Sequence, residues 1–98
     1  MEKPLRILAV CGMGVGTSMI LKTQAEKALK ALETKANVEL ADISTAKGLA
    51  IHADIVVTSD ELAERIGEIN TPVVKVSNFM DLEGMIAGLR AAISEIEN

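Results

Sequence analysis

Residues 5–18 of the chain have the sequence LRILAVCGMGVGTS, an apolar run followed by three glycines at every second position. The run from Leu5 to Val10 is almost continuously apolar, which is typical of a strand covered on both faces in a parallel sheet. Beyond Ser18, apolar residues recur at helical spacing while lysines and glutamates fall mainly on other faces. These apolar positions are Leu21, Ala25, Ala28, Leu29 and Leu32. The stretch therefore predicts a strand, a glycine loop and an amphipathic helix.

The remainder of the chain continues to alternate strand and helix patterns. We predict a second strand from Val38 to Ile43, a short helical turn over 45–52, and a third strand at residues 55–57. The polar run 58–61 then predicts a capping box for a helix that Gly67 closes. A fourth strand covers 73–76, and a last helix starts near Asp81. We expect that last helix to bury Leu82, Met85, Ile86, Leu89, Ile93 and Ile96.

This alternation predicts an α/β fold. Strands that alternate with helices form a parallel sheet with helices on both faces and right-handed crossovers. We expect a three-layer αβα sandwich, similar to the flavodoxin and Rossmann folds, with four parallel strands in the order 2-1-3-4. Ligands of such sheets bind beyond the carboxyl ends of the strands, at the switch point beside the first strand. That is where the loop after strand 1 lies, so we expect a phosphate-binding loop there.

Composition limits the functions that this chain can have. Its 98 residues, 49% of them hydrophobic and 24% charged, predict one globular domain over 1–98. The apolar runs are too short to cross a membrane and no signal peptide is evident, so we expect a cytoplasmic protein. Residues 36–98 hold four Lys/Arg against eleven Asp/Glu, and Phe79 is the single aromatic residue. An acidic chain without stacking side chains is unsuited to binding nucleic acid.

The single cysteine, Cys11, stands at the head of the glycine loop. One cysteine cannot form an internal disulfide or a multi-cysteine metal site, and we expect neither a metal nor a cofactor. Alternate glycines allow backbone N–H groups to converge on an anion, and the start of the following helix adds its partial positive charge. The same groups would stabilise a thiolate, the form that attacks phosphorus. We expect Thr17 and Ser18 to cap the helix and to donate hydroxyl hydrogen bonds to phosphoryl oxygens. The alternative is a small buried cysteine beside a tight turn, with packing as its only role.

Residues 6–22, RILAVCGMGVGTSMILK, closely resemble the start of the IIB components of the ascorbate and galactitol branches of the phosphotransferase system. The resemblance implies that Cys11 accepts a phosphoryl group from a phosphohistidine on a IIA protein. It further implies transfer to a sugar or sugar acid held by the IIC membrane permease, with ascorbate favoured over galactitol or another polyol. The phosphate-binding residues that it implies are Gly12, Met13, Gly14, Val15, Gly16, Thr17 and Ser18. No direct insertion of this chain into the membrane is expected.

Two other functions remain open on the residues alone. Low-molecular-weight tyrosine phosphatases have a similar loop, with Cys, five residues, Arg, then Ser or Thr, but Thr17 occupies the arginine position here. Without that arginine to clamp phosphoryl oxygens, a carrier is favoured over a cysteine hydrolase. A regulatory module that only binds an anion is the third possibility.

Several further side chains are weaker candidates for the site. We expect His52 to face solvent or cap a helix rather than to carry a phosphoryl group. Thr58, Ser59 and Asp60 should lie near Cys11 mainly as helix caps, with a phosphatase-like acid as the alternative role of Asp60. Ser77 and Asn78 follow the fourth strand at the same edge. Met13 and Met19 flank the loop and are candidates for partner docking, with Lys22 and the neighbouring helix lysines as a basic rim.

Overall fold

The computed structural model describes residues 4–11, 15–76 and 81–97. All four strands pair in parallel in one sheet, in the order β2-β1-β3-β4. This confirms the predicted α/β fold, including the strand order. The elements are β1 (Leu5–Val10), α1 (Val15–Ala31), β2 (Ala36–Ala41), α2 (Ile43–Ala50), β3 (Ile55–Thr58), α3 (Asp60–Ile66), β4 (Val73–Lys75) and α4 (Leu82–Glu97).

The sheet separates two apolar clusters, one on each face. Helices α1 and α4 cover one face, and α2 and α3 cover the other. Side chains of β1 alternate between them, because Ile7 and Ala9 belong to the first cluster while Leu8 and Val10 belong to the second. Burial on both faces explains why this strand is apolar without interruption. The observed β1 has the predicted bounds.

The second strand lies two residues earlier than predicted. It covers Ala36–Ala41 and pairs with β1 from Leu5 opposite Ala36 to Val10 opposite Ala41. The prediction that the strand reaches Ile43 is wrong, because Asp42 ends it. The carboxylate of Asp42 accepts a hydrogen bond from the backbone N–H of Thr45 at 3.1 Å and so caps the N-terminus of α2. Ile43 is therefore the first residue of a helix.

The third helix ends as predicted, but it begins with a different cap. Ser59 is the N-cap residue, and its hydroxyl oxygen accepts from the N–H of Leu62 at 3.2 Å. Thr58 belongs to β3, so the predicted capping box over 58–61 is wrong. Gly67 closes the helix with a φ of 80°, a conformation that glycine adopts without steric cost.

The last helix packs its apolar stripe on the face that it shares with α1. Met85, Leu89 and Ile93 are buried, and Leu82 and Ile86 pack against them. These five positions confirm the prediction. Ile96 does not, since 39% of its surface is exposed. It lies in the last turn of α4, beyond Ile93, which belongs to the buried cluster.

Candidate functional site

Cys11 directly follows the central strand at the carboxyl edge of the sheet. Its N–H donates to the carbonyl oxygen of Ala41 at 3.0 Å, which continues the pairing of β1 with β2 by one residue. The side chain is 4% exposed and belongs to the cluster on the α1 and α4 face. Burial of this kind is also what a packing cysteine would show, so burial alone does not distinguish the two roles.

Helix α1 begins four residues after Cys11, at Val15. Its first turn carries no acidic side chain, so no carboxylate there offsets the partial positive charge of its N-terminus. The N–H groups of that turn have no partners within the helix, and they lie at the same sheet edge as Cys11, which is the edge where ligands of such folds bind.

The structure describes only part of the predicted phosphate loop, residues 12–18. Gly12, Met13 and Gly14 lie outside the described residues. Gly16, Thr17 and Ser18 are inside the first turn of α1 rather than before it. The expectation that Thr17 or Ser18 caps the helix is therefore wrong, because a cap residue precedes the first helical residue. A phosphoryl contact from Gly12 to Ser18 remains a prediction.

Thr58 takes a role that its sequence position did not reveal. Its side chain is completely buried, and its hydroxyl donates a hydrogen bond to the carbonyl oxygen of Val10 at 3.0 Å. Val10 is the residue before Cys11, so this bond links the end of β3 to the start of the candidate site. Asp60, considered as a possible acid, is an exposed residue in the first turn of α3.

Asp42 is a carboxylate near this edge that was not among the residues predicted from the sequence. It follows Ala41, whose carbonyl holds the N–H of Cys11. The hydroxyl of Ser44, at 2.6 Å, and the hydroxyl and N–H of Thr45 donate to this carboxylate and hold the pKa of Asp42 below its ordinary value. An Asp placed just before a short apolar segment is the signal that would have identified this cap.

The remaining candidate residues do not all lie near Cys11. Met19 is 52% exposed and its neighbour Ile20 is 44% exposed, which confirms an apolar surface on the second turn of α1. His52 is exposed, as expected, and lies between α2 and β3 at the amino end of the strands, away from Cys11. Met13, Ser77 and Asn78 fall outside the described residues.

A family comparison identifies the chain. Residues 6–87 match the model of the family described as "PTS system, Lactose/Cellobiose specific IIB subunit". The chain belongs to this family. It is therefore a IIB component of a sugar phosphotransferase system, in which it serves as a phosphoryl carrier of the transferase class. The resemblance noted over residues 6–22 is confirmed and extends over most of the chain.

Curated relatives carry the name "Ascorbate-specific PTS system EIIB component". The protein from Mycoplasma pneumoniae is 39% identical over 81 residues, which cover 82% of this chain and 85% of the relative. The protein from Salmonella typhimurium is 35% identical over 77 residues, covering 78% of this chain and 76% of the relative.

Solved IIB structures have the same fold. The solution structure of the cellobiose-specific IIB protein from Borrelia burgdorferi has a TM-score of 0.60 and 26% identity, covering 96% of this chain and 93% of that chain. The lactose-specific IIB domain from Streptococcus pneumoniae has a TM-score of 0.58 and 17% identity, covering 94% and 97%. At 17% identity, the similarity to the lactose-specific domain supports the fold alone. Within the described residues of our chain, no helix is long and apolar enough to cross a bilayer.

Proposed function

We propose that this IIB component carries its phosphoryl group on Cys11, receives it from a phosphohistidine of a IIA protein, and passes it to ascorbate bound by a IIC permease. The observation that carries the proposal is the position of Cys11 at the carboxyl end of the central strand, ahead of a helix whose first turn has no acidic side chain. Family membership favours this role over a packing cysteine, because a phosphoryl carrier needs an acceptor atom. We also propose that these reactions take place in the cytoplasm.

Two displacements at phosphorus account for the proposed chemistry. In the first, the Cys11 thiolate attacks the phosphorus of the phosphohistidine, an S–P bond forms and the P–N bond breaks. The electron pair of the broken bond returns to the imidazole nitrogen of the donor, which takes up a proton. In the second, a hydroxyl of the substrate attacks the same phosphorus and loses its proton to a base. The S–P bond breaks, and its electron pair restores the Cys11 thiolate.

The phosphate-binding role of Gly12 to Ser18 rests on the chemistry of their backbone. A phosphoryl group carries charge on three oxygens, and converging N–H groups at a helix N-terminus stabilise that charge without a side-chain cation. Thr17 stands where the related phosphatases have an arginine. A neutral loop binds the phosphoryl group but gives less help to attack by water, which suits an intermediate that must survive until it meets the permease.

Ascorbate is the proposed substrate because relatives at 39% and 35% identity carry that name. The cellobiose and lactose proteins with solved structures are less similar in sequence, at 26% and 17%. Galactitol or another polyol is the second choice, since the resemblance of residues 6–22 includes that branch.

Phosphoryl transfer to the purified protein tests the acceptor. With a phosphorylated ascorbate-type IIA protein as donor, intact-mass spectrometry should show one added phosphoryl group. The Cys11→Ser variant should show none, because Cys11 is the only cysteine. A galactitol-type IIA protein is the matched donor for comparison and should react more slowly. A phosphoryl group that persists in Cys11→Ser would refute the role of Cys11.

The hydrolase alternative is tested by aryl-phosphate turnover. The carrier proposal predicts almost none, since loss of a charge-assisted clamp of the arginine kind costs about 3–4 kcal/mol of barrier, or roughly 10²–10³ in rate. Sustained turnover that depends on Cys11, with no phosphorylation by any IIA donor, would favour the hydrolase.

A further inference from the structure

The buried hydroxyl of Thr58 extends the pairing of the two central strands into the candidate site. Paired residues of β1 and β3 run from Ile7 opposite Ile55 to Ala9 opposite Val57. One residue further on, the hydroxyl of Thr58 donates to the carbonyl oxygen of Val10 at 3.0 Å. A side chain thus adds a link between the strands beyond their paired residues, at the peptide that leads into Cys11.

That peptide is held at both of its polar ends. The carbonyl of Val10 and the N–H of Cys11 belong to one planar unit. The carbonyl accepts from Thr58, and the N–H donates to the carbonyl of Ala41 on the opposite neighbouring strand at 3.0 Å. Because the unit is planar, two bonds on opposite sides restrict its rotation about the strand axis. The Cα atom of Cys11 belongs to the same planar unit, so the position from which its side chain extends is restricted as well.

Thr58 is itself fixed from the other side. Its backbone carbonyl accepts from the N–H of Val76 at 2.8 Å, and it lies opposite Lys75 in the pairing of β3 with β4. Its side chain is completely buried and β-branched, so few rotamers are open to it. A valine would fill nearly the same space. The hydroxyl is therefore the feature that distinguishes threonine at this position.

We propose that Thr58 is a positioning residue for phosphoryl transfer at Cys11, acting through the Val10–Cys11 peptide. This inference rests on the proposed role of Cys11 as acceptor. In-line attack on phosphorus depends on the placement of the attacking sulfur, and a misplacement of about 1 Å is enough to slow a reaction by about 10²-fold. Val10 and Thr58 are both completely buried, so removal of the hydroxyl leaves the carbonyl of Val10 without this partner, and the rotation of the peptide is then less restricted.

Thr58→Val is the test, with Thr71→Val as the matched control. The hydroxyl of Thr71 also donates to a backbone carbonyl, that of Ala50 at 2.7 Å, but it lies before β4 at the other end of the sheet. Single-turnover transfer from a phosphorylated IIA protein is measured at a temperature where both variants are folded. We expect Thr58→Val to lower the maximal transfer rate by about 10- to 100-fold, with the half-saturating donor concentration unchanged within about twofold. Thr71→Val should transfer at the wild-type rate.

Thr58→Ser checks that the hydroxyl is responsible. Serine keeps the donor, so most of the rate should return, and the carbonyl carbon of Val10 should keep its wild-type NMR chemical shift, which Thr58→Val should move. If Thr58→Val does not fold, Thr58→Ala replaces it, since the smaller side chain leaves room for water to reach the Val10 oxygen. We expect the same loss of rate.

The possible results distinguish the positioning role of Thr58 from the acceptor role of Cys11 on which it rests. Equal transfer rates in the wild type and in the variants that lack the Thr58 hydroxyl would refute the positioning role while leaving Cys11 as the acceptor. A similar loss of rate in Thr71→Val would also refute it, because general destabilisation would then explain both. A wild-type protein that no IIA donor phosphorylates, or phosphorylation that survives Cys11→Ser, would overturn both proposals.

Discussion

A Cβ atom on Gly88 of α4 would lie 2.6 Å from the Cγ1 atom of Val74 on β4. Side-chain carbons in folded proteins do not approach each other so closely. Val74 is buried between the sheet and α4, so it cannot turn out to solvent. The absence of a side chain at Gly88 therefore sets how closely the last helix approaches the edge strand.

We predict that Gly88→Ala destabilises the protein by about 1–2 kcal/mol. Overpacking costs about 1–3 kcal/mol, and the better helix propensity of alanine offsets up to about 1 kcal/mol of it. Chemical denaturation measures the change. Gly48→Ala in α2 is the control, because no atom of the described residues lies within 4 Å of its added Cβ, and it should stabilise by about 0.5–1 kcal/mol. In a Val74→Ala background the cost of Gly88→Ala should fall, and an unchanged cost would contradict the proposed contact.

We predict that Glu33→Gly stabilises the protein by about 1 kcal/mol. Glu33 has a φ of 55°, a left-handed conformation that costs a residue with a Cβ about 1–2 kcal/mol. Glu33 ends α1 in a Schellman motif. The N–H of Glu33 donates to the carbonyl oxygen of Lys30 at 3.0 Å, and the N–H of Thr34 donates to the carbonyl oxygen of Leu29 at the same distance. The larger chain entropy of glycine in the unfolded state removes part of the gain. Glu33→Ala, the control, should change stability little, and equal effects of Gly and Ala would rule out the conformational explanation.

We predict that Asp42 makes stability depend on pH in the acid range. Its pKa is lowered from 3.8 in the folded protein, first by the hydroxyl of Ser44 and then by Thr45. The unfolded state therefore binds the proton more readily, so the contribution of Asp42 is present above about pH 4 and disappears as the pH falls through the lower folded value. Asn at this position can still cap α2, but it does not titrate. The difference in unfolding free energy between wild type and Asp42→Asn should thus shrink as the pH falls below about 4, and a constant difference would contradict the assignment.

We predict a graded effect of charge reversal along α1 on transfer from IIA. Lys22 lies about 10 Å along the helix axis from Val15 and Lys27 about 18 Å, at 1.5 Å per residue. Since the Debye length is about 8–10 Å, Lys22→Glu should slow the encounter by about three- to tenfold at low salt and Lys27→Glu by less. Stopped-flow transfer at several salt concentrations measures both. Exposed Lys35, just before β2, is the control, and Lys35→Glu should have no effect. Equal slowing by all three variants would mean that net charge, rather than a rim near Cys11, governs the encounter.

Local patterns in the sequence determined most of this architecture. The uninterrupted apolar run of β1, the helical spacing after the glycine loop and the glycine that ends α3 each act within a few residues, so they predict their elements directly. The strand order 2-1-3-4 followed from the handedness and short length of the connections. The position of Cys11 at the carboxyl edge followed from both. The sequence alone also predicted the family, through the motif in residues 6–22.

Contacts between distant residues decided what the sequence left open. Thr58 was predicted as part of a helix cap because its neighbours are polar, but its hydroxyl bonds to Val10, 48 residues away. Strand β2 ends at Ala41 because Asp42, rather than another polar residue nearby, is the N-cap of α2. Ile96 continues the apolar stripe of α4 but lies exposed beyond the buried Ile93, and a side chain at position 88 is excluded by Val74, which lies opposite. Such features depend on the register and packing distance of separate elements, and these distances arise only when the chain has folded.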